Sequence, residues 1–227
     1  MAEARRRRSA AGLLSTFEEF AREHLPGPPA RLLEVGCGQG ELTTALSVAG
    51  YDVLGIDPVA PHGDLFRRLT LDDLDEPGPY DGILAARSLH HIRDLDGALE
   101  KAVSLLQPDG VLVVEEFAWD RLDVPTLDWL HGQRRALAAA GRGEPPASVD
   151  EMRAEWDADH LGLHGEDVLR IALATRFEEE AFTRTPYLYR LLGGVSTEVL
   201  EQALVDAGAI QALGFRWAGR PRPAPRL

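Results

Sequence analysis

The first half of the chain alternates short apolar runs with amphipathic stretches. The apolar runs are bounded by turn residues, which is typical of buried strands. We predict strands at Arg31–Val35, Asp52–Ile56, Phe66–Thr70, Tyr80–Ala86 and Val111–Phe117. Apolar residues recur at helical spacing over residues 13–25, Leu42–Ala49 and Leu95–Leu106. Strands separated by helices predict βαβ units, and therefore a mostly parallel sheet that is covered on both faces.

This alternation stops after residue 118. Residues 120–192 favour helices and loops, and eight of the chain's 15 Phe, Trp and Tyr residues lie between Phe117 and Tyr189. A helix that Ser196 or Thr197 caps then follows. The last predicted strands are Ala209–Leu213 and Phe215–Ala218.

Together these elements predict a doubly wound α/β fold with seven mainly parallel strands and a helical insertion. We divide the chain into an N-terminal tail and helix (1–29), an α/β core (30–119), a helical cap (120–192) and a segment that completes the core (193–227). The cap is expected to cover the carboxyl edge of the sheet, where ligands of open α/β sheets bind.

The composition of the chain restricts the functions and locations that a protein of this fold could have. Lys and Arg number 24 against 37 Asp and Glu, a formal net charge of −13, so nucleic acid is disfavoured as a partner. We interpret the basic run Arg5–Arg8 as a solvated tail. The single cysteine, Cys37, excludes a disulfide framework. No apolar run reaches the ~20 residues of a membrane span, and we expect a cytoplasmic protein.

A glycine-rich turn between the first strand and the first helix carries the clearest chemical signal. Gly36, Gly38 and Gly40 lie there, and Asp57 ends the second strand. Glycines let a ligand approach the backbone, and the following helix N-terminus favours an anionic group. An acidic residue at the end of the second strand accepts hydrogen bonds from ribose hydroxyls. The combination predicts a ligand that contains adenosine.

The spacing of the glycines argues against a dinucleotide. The dinucleotide fingerprint is G-x-G-x-x-G, whereas here the third glycine comes one residue early and Glu41 takes the place of Gly or Ala. The segment E-V-G-C-G-Q-G (Glu34–Gly40) resembles motif I of the class I S-adenosylmethionine-dependent methyltransferases. The resemblance continues through G-I-D-P (Gly55–Pro58), the stretch Pro79–Ile92 with its S-L-H-H-I, and Leu105–Glu116. It implies a Rossmann-like fold that binds S-adenosylmethionine.

The resemblance also implies roles for residues around the methionine part of this cofactor. The backbone at Gly36, Cys37 and Gly38 is expected to line it, and Glu34 to reach its amino group from beneath the turn. Arg87, at the end of the fourth strand, matches a position whose backbone meets the same amino group.

A second set of residues is expected around the adenosine part. Asp57 matches the residue that holds the ribose diol, and Pro58 the residue that flanks the adenine. After the third strand the family has an acid, which this chain replaces with Thr70. The adenine contact is therefore expected from the following segment, with Leu71 and with Asp72, or else Asp73, as the acid.

Methyl transfer requires an oriented acceptor and, for many acceptors, a base. Transfer from a sulfonium is an in-line displacement, and histidine is the usual base near neutral pH. The two candidates are His91, after the fourth strand, and His164, in the insertion; a structural role for each is the alternative. His160 and His164 have i, i+4 spacing, but no further ligand cluster accompanies them, and we expect no metal.

We therefore expect a methyltransferase that acts on a small-molecule acceptor, apolar or aromatic in part. The aromatic residues of the insertion suit such a pocket, or else they form the core of the cap itself. The rival hypotheses are a non-catalytic cofactor-binding protein that acts through a protein partner, a protein methyltransferase and a nicotinamide-dependent oxidoreductase.

Overall fold

The computed structural model describes residues 17–194 and 196–223. The Arg5–Arg8 run and the start of the predicted N-terminal helix lie outside these residues. The strands are β1 Arg31–Val35, β2 Asp52–Ile56, β3 Phe66–Arg67, β4 Tyr80–Ala86, β5 Leu106–Phe117, β6 Phe177–Thr185 and β7 Gly214–Pro221. The helices are α1 (17–24), α2 Glu41–Val48, α3 Leu95–Leu105, α4 Val124–Ala139, α5 Val149–Asp159, α6 Glu166–Arg176 and α7 Glu198–Asp206. Short 3-10 helices lie at Leu89–His91, Trp119–Arg121 and Leu188–Leu192.

The strands form one seven-stranded sheet in the order β3-β2-β1-β4-β5-β7-β6. The pairs β1·β2, β2·β3, β1·β4 and β4·β5 are parallel. The predicted fold class is thereby confirmed. Since β2 and β4 flank β1 on opposite sides, the strand order reverses beside β1. This reversal opens a crevice at the carboxyl ends of these strands.

The central strands match their predicted bounds because they are buried. Interior strands of a parallel sheet read as continuous apolar runs, and β1, β2 and β4 begin and end where these runs do. β5 begins earlier than expected. Leu106 pairs with Tyr80, and the register shifts before Gly82 pairs with Val111, so the Pro108–Gly110 turn lies within the strand.

Two predictions from the second half of the chain are wrong. β6 lies where only helices and loops were expected. It is an edge strand with the sequence F-E-E-E-A-F-T-R-T, in which four of the nine residues are exposed, so no apolar run marks it. Charged residues are common on edge strands, where they discourage pairing with other chains. The segment Ala209–Leu213 is irregular rather than a strand. Its backbone pairs elsewhere: the amide of Gln211 donates to the hydroxyl of Thr126 at 2.8 Å.

The chain divides into two compact units. The first comprises Met1–Glu116, Asp167–Thr183 and Arg216–Leu227. One of its apolar clusters includes Phe17, Leu32, Leu84 and Val113, all of which are buried. Residues 167–183 belong to this unit, although we expected them in the cap; Phe177 there packs edge-on against Trp217, with ring centroids 5.9 Å apart.

The second unit comprises Phe117–Glu166 and Arg184–Phe215. α4 and α5 begin at side-chain caps: the carboxylate of Asp123 accepts a hydrogen bond from the amide of Thr126, and Ser148 and Glu151 form a capping box. α7 begins after Thr197, whose side chain makes no cap. Its apolar cluster includes Leu127, Leu130 and Met152 with several aromatic rings. A role for residues 120–192 as a cap over the ligand site stays a prediction.

Candidate functional site

A cavity of about 720 Å³ lies in the first unit at the carboxyl ends of β1, β2 and β4. It is the crevice that the reversal of strand order creates. Eight of the predicted site residues line it: Gly36, Gly38, Asp57, Pro58, Leu71, Asp72, Arg87 and His91. Glu34, Cys37 and His164 are not among the lining residues.

The glycine-rich turn forms one wall of this cavity. The amides of Gly36 and Cys37 both donate to the carbonyl of Ile56, at 2.8 and 3.0 Å. Gly36 has a φ of +78°, and a Cβ there would collide with the side chain of Ser88. Gly38 has a φ of +52°, but a Cβ on it would meet no other atom within 4 Å. The turn therefore packs directly against Ser88 at Gly36, whereas at Gly38 it leaves free space beside the backbone.

Asp57 links this turn to the end of β2. Its Oδ2 accepts a hydrogen bond from the amide of Gly38 at 3.1 Å, and its Oδ1 accepts one from the amide of Val59 at 2.8 Å. An ionised carboxylate has about four acceptor positions. Asp57 can therefore hold the turn and still accept hydrogen bonds from hydroxyl groups in the cavity.

Glu34 and Cys37 lie behind the turn instead of in the cavity. Glu34 is 2% exposed, and the hydroxyl of Thr43 donates to its Oε2. Burial raises the pKa of Glu34 from 4.5 to about 7. Burial also raises the pKa of Cys37 to about 12, with the carboxylates of Glu34 and Asp57 adding to the effect. Cys37 is thus a packed thiol, and the expected contact of Glu34 with the cofactor stays a prediction.

A loop after β3 supplies an apolar wall. Leu69 and Leu71 line the cavity from this loop, and Ile92 and Ala98 line it from the segment after β4. The loop is held by its own polar contacts: the hydroxyl of Thr70 donates to Asp73 at 2.7 Å. Of the two acids that follow Leu71, Asp72 lines the cavity and Asp73 does not.

The turn after β4 is bound to β5 by two buried glutamates. Arg87 has a left-handed backbone with a φ of +56°, and its amide donates to the carbonyl of Glu115 at 2.6 Å. The carboxylate of Glu115 accepts hydrogen bonds from Arg87 at 3.1 Å and from Arg216 at 2.9 Å. Glu116 accepts hydrogen bonds from the next residues of the turn.

His91 is the imidazole that lines the cavity. Desolvation lowers the pKa of His91 below its ordinary value, and the neighbouring His90 lowers it further. The negative charge of Glu116 acts in the opposite direction, but its effect is smaller. His91 is therefore neutral at neutral pH and can accept a proton. His164 belongs to the second unit, where its carbonyl accepts a hydrogen bond from the indole of Trp119 at 3.3 Å.

Several lining residues did not stand out in the sequence. Six residues line the cavity but are not among the predicted site residues: Leu69, Ser88, Ile92, Arg93, Asp94 and Ala98. Most of these lie between the end of β4 and the first turns of α3, where the side chain of Asp94 accepts a hydrogen bond from the amide of Gly97. The rule that ligands bind at the carboxyl ends of strands beside the reversal point identifies this segment.

The aromatic residues of the second unit pack on one another. Phe117 stacks on Tyr187 with ring centroids 4.0 Å apart, and His160 lies 4.4 Å from Trp156 and 5.5 Å from Trp119. The indole of Trp156 donates to the carbonyl of Trp119 at 3.1 Å. Of the two interpretations of these aromatics, this packing favours a core of the unit itself.

Within the described part of the chain, no group of three or more His, Cys, Asp or Glu residues could hold a metal ion. The helices described there are also too short or too polar to cross a membrane.

The parallel sheet, its glycine-rich turn and the acid at the end of β2 define a class of α/β proteins that bind nucleoside-containing ligands at the reversal point. A comparison with known protein families identifies the family within this class to which the chain belongs. Residues 1–158 match a family described as a methyltransferase domain. Because the match covers more than half of the chain, the protein belongs to this family, as the sequence motifs predicted.

Relatives and solved structures agree with this assignment. Ubiquinone biosynthesis O-methyltransferase of Rhodopseudomonas palustris (strain HaA2) is 31% identical over 97 residues, which cover 37% of this chain and 38% of that protein. The match thus spans well under half the length of that relative.

Two solved structures share the fold. An S-adenosylmethionine dependent methyltransferase from Mesorhizobium loti has a TM-score of 0.55 at 18% identity, covering 89% of this chain and 96% of that one. The 1,6-didemethyltoxoflavin-N1-methyltransferase of Burkholderia thailandensis, with bound 1,6-didemethyltoxoflavin and S-adenosylhomocysteine, has a TM-score of 0.57 at 20% identity, covering 92% and 78%. At these identities the likeness concerns the fold.

Proposed function

We propose that this protein transfers a methyl group from S-adenosylmethionine to a small-molecule acceptor. The observation that carries the proposal is the cavity, in which the open glycine turn and the carboxylate of Asp57 face one space. Its volume of about 720 Å³ lies within the range of roughly 300–1,000 Å³ that ligand pockets occupy. Family membership and the names of the relatives support the same reaction.

The residues of the cavity fit this cofactor. The space beside Gly38 admits a ligand close to the backbone, and Asp57 has acceptor positions left for the ribose hydroxyls. The apolar wall with Leu71 and Ile92 suits a flat base. When bound, S-adenosylmethionine supplies an electrophilic methyl group and a neutral thioether leaving group.

The protein's own contribution is orientation and proton removal. The neutral imidazole of His91 accepts the proton that an O–H or N–H acceptor loses as the methyl group arrives. The backbone of the glycine turn and the side chains of the apolar wall would hold the cofactor in a fixed orientation.

The acceptor class follows from charge and from the relatives. With a net charge of −13 the surface repels phosphate backbones, so a small organic acceptor is favoured over a nucleic acid. A relative named as an O-methyltransferase and a fold neighbour with a bound heterocycle support an aromatic acceptor. The buried thiol of Cys37 is compatible with a cytoplasmic location.

Calorimetric titration with S-adenosylhomocysteine tests the cofactor, with NADH as the competing hypothesis. Asp57→Ala should weaken S-adenosylhomocysteine binding about tenfold or more, since two charge-assisted hydrogen bonds to the ribose are each worth about 1.5–3 kcal/mol before compensation. Asp75→Ala, at an exposed position outside the cavity, is the control. Binding of NADH in place of S-adenosylhomocysteine would refute the assignment.

Transfer is tested with radiolabelled S-adenosylmethionine and a panel of catechol, 3,4-dihydroxybenzoate, caffeate and aniline. Labelled product identifies a methyltransferase for aromatic acceptors. Tight binding of S-adenosylhomocysteine with no transfer to any small molecule, or with label only in added protein, would favour the non-catalytic or protein-modifying alternatives.

A further inference from the structure

The second of the two buried glutamates of β5, Glu116, contacts the turn that carries His91. It lies near the end of β5 with 0% of its surface exposed. Its Oε1 accepts hydrogen bonds from the amide of Ser88 at 2.9 Å and from that of Leu89 at 2.7 Å. Its Oε2 lies 2.5 Å from Nδ1 of His90. One carboxylate thus binds three consecutive residues of the turn.

This carboxylate replaces the usual helix cap. The first amides of a helix have no partner within the helix and need acceptors from elsewhere. Ser88 precedes the 3-10 helix Leu89–His91 but makes no side-chain cap, because its hydroxyl donates to the carbonyl of Val35 at 2.8 Å. Glu116 supplies the missing acceptor, and the turn is fixed to β1 and to β5 at once.

The contacts of Glu116 extend to the imidazole in the cavity. The ring of His90 is buried with 5% of its surface exposed, and its centroid lies 4.1 Å from that of His91. The backbone amide of His91 donates to the carbonyl of Ser88 at 3.2 Å. The ring of His91 is therefore placed by the turn that Glu116 caps and by the ring that Glu116 binds.

We propose that Glu116 is a positioning residue for methyl transfer, whose buried carboxylate holds the Ser88–His91 turn and thereby keeps the imidazole of His91 in the cavity. The role of Glu116 in methyl transfer rests on the proposed function, whereas its effect on the position of His91 rests on the contacts described above. Glu115 differs from it, because its carboxylate binds Arg87 and Arg216.

The variant Glu116→Asp separates position from charge. It keeps the carboxylate but is one methylene shorter, so it cannot reach both the turn amides and His90. Glu201→Asp is the matched control: Glu201 is also 0% exposed, and its carboxylate accepts hydrogen bonds from three consecutive amides, those of Tyr187, Leu188 and Tyr189. It does not line the cavity. Glu116→Gln keeps the length and removes the charge.

The measurement is the titration of His91 in the ligand-free protein by NMR of the imidazole nitrogens, with His91→Asn to assign its signals. Glu116→Asp should raise the proton affinity of His91 about twofold or more, because a displaced ring regains water and loses part of its desolvation. Glu116→Gln should leave the ring in place and lower its proton affinity, since the negative charge is gone. Glu201→Asp should leave His91 unchanged.

A folded Glu116→Asp protein whose His91 titrates as in the wild type would overturn the positioning role. If Glu116→Asp does not fold, Glu116→Gln is the test. An unchanged titration of His91 would show that the charge of Glu116 does not reach its ring, which contradicts the contacts through His90 on which the positioning role rests. This result is independent of the proposed function, which is tested by S-adenosylhomocysteine binding to the wild type. Wild-type protein that binds no S-adenosylhomocysteine would refute methyl transfer, whatever the titration of His91 shows.

Discussion

Replacing Glu34 with glutamine tests how burial has changed the chemistry beneath the glycine turn. Glutamine has the same shape and retains an oxygen that can accept the hydrogen bond from Thr43. It cannot ionise. Because the pKa of Glu34 is raised from 4.5 to about 7 by burial, the folded protein binds this proton more tightly than the unfolded chain does. The stability of the wild type should therefore fall as the pH rises from 4.5 to about 7.

The size of this effect follows from the two pKa values. A tenfold change in proton affinity is worth about 1.4 kcal/mol. Relative to low pH, Glu34 therefore lowers the free energy of unfolding by about 3 kcal/mol at pH 8, where it is ionised in both states. At pH 5, where only the unfolded chain ionises, the loss is about 1 kcal/mol. Any new contact of the amide group adds equally at both pH values. The advantage of Glu34→Gln over the wild type should thus be about 2 kcal/mol larger at pH 8 than at pH 5.

Urea unfolding followed by far-ultraviolet circular dichroism at both pH values measures this difference. Glu100→Gln, at an exposed position on α3, controls for the loss of one negative charge. If the difference in unfolding free energy between Glu34→Gln and the wild type were the same at pH 5 and pH 8, Glu34 would be ionised in the folded protein throughout, and the burial argument would be refuted.

Three further substitutions test the turn, the base and the second unit. Gly36→Ala should destabilise the protein by about 2 kcal/mol or more, because of its positive φ and the collision with Ser88, whereas Gly27→Ala, which meets no atom within 4 Å, should cost little in thermal unfolding. If His91 is the base, kcat/KM of the wild type should rise with pH below about pH 6.5, because the pKa of His91 is lowered. His91→Asn should remove this rise in a pH-rate profile measured with a phenol that the enzyme accepts. A rise that the variant retains would argue against His91 as the base. Glu201→Ala leaves three backbone amides without their acceptor and should cost about 3 kcal/mol in urea unfolding, and a loss under 1 kcal/mol would contradict this count.

The sequence predicts the centre of the sheet better than its margin. β1, β2 and β4 are recognisable because both of their faces are buried and their ends coincide with turn residues. β6 lies at the edge of the sheet, and its three consecutive glutamates interrupt the apolar pattern by which a strand is recognised. The segment Ala209–Leu213 shows the converse. Three of its apolar residues, Ile210, Ala212 and Leu213, are buried. Its backbone, however, bonds to the side chain of Thr126 and to the loop at Ala118, and periodicity does not detect such bonds.

The position of the cavity is predictable, but the direction of individual side chains is not. The glycine turn and Asp57 must lie at the carboxyl edge, because parallel strands end on the same side of a sheet. Glu34 is expected beneath the turn, but its place in the sequence does not show whether its carboxylate reaches the cavity. Successive residues of a strand point to opposite faces, so nearness in sequence does not place a side chain in the cavity. Only the pairing with Thr43 shows where Glu34 points.

The same alternation explains why two adjacent glutamates at the end of β5 serve different parts of the site. Glu115 binds Arg87 and Arg216, and Glu116 binds the turn before His91. Burying a carboxylate is unfavourable unless donors compensate it. Each of these two carboxylates has at least two donors. Glu34 also accepts hydrogen bonds, from Thr43, but burial outweighs them and raises its pKa to about 7. The contacts that offset the cost of burying Glu115 and Glu116 are thus the same contacts that fix the turn after β4 to β5.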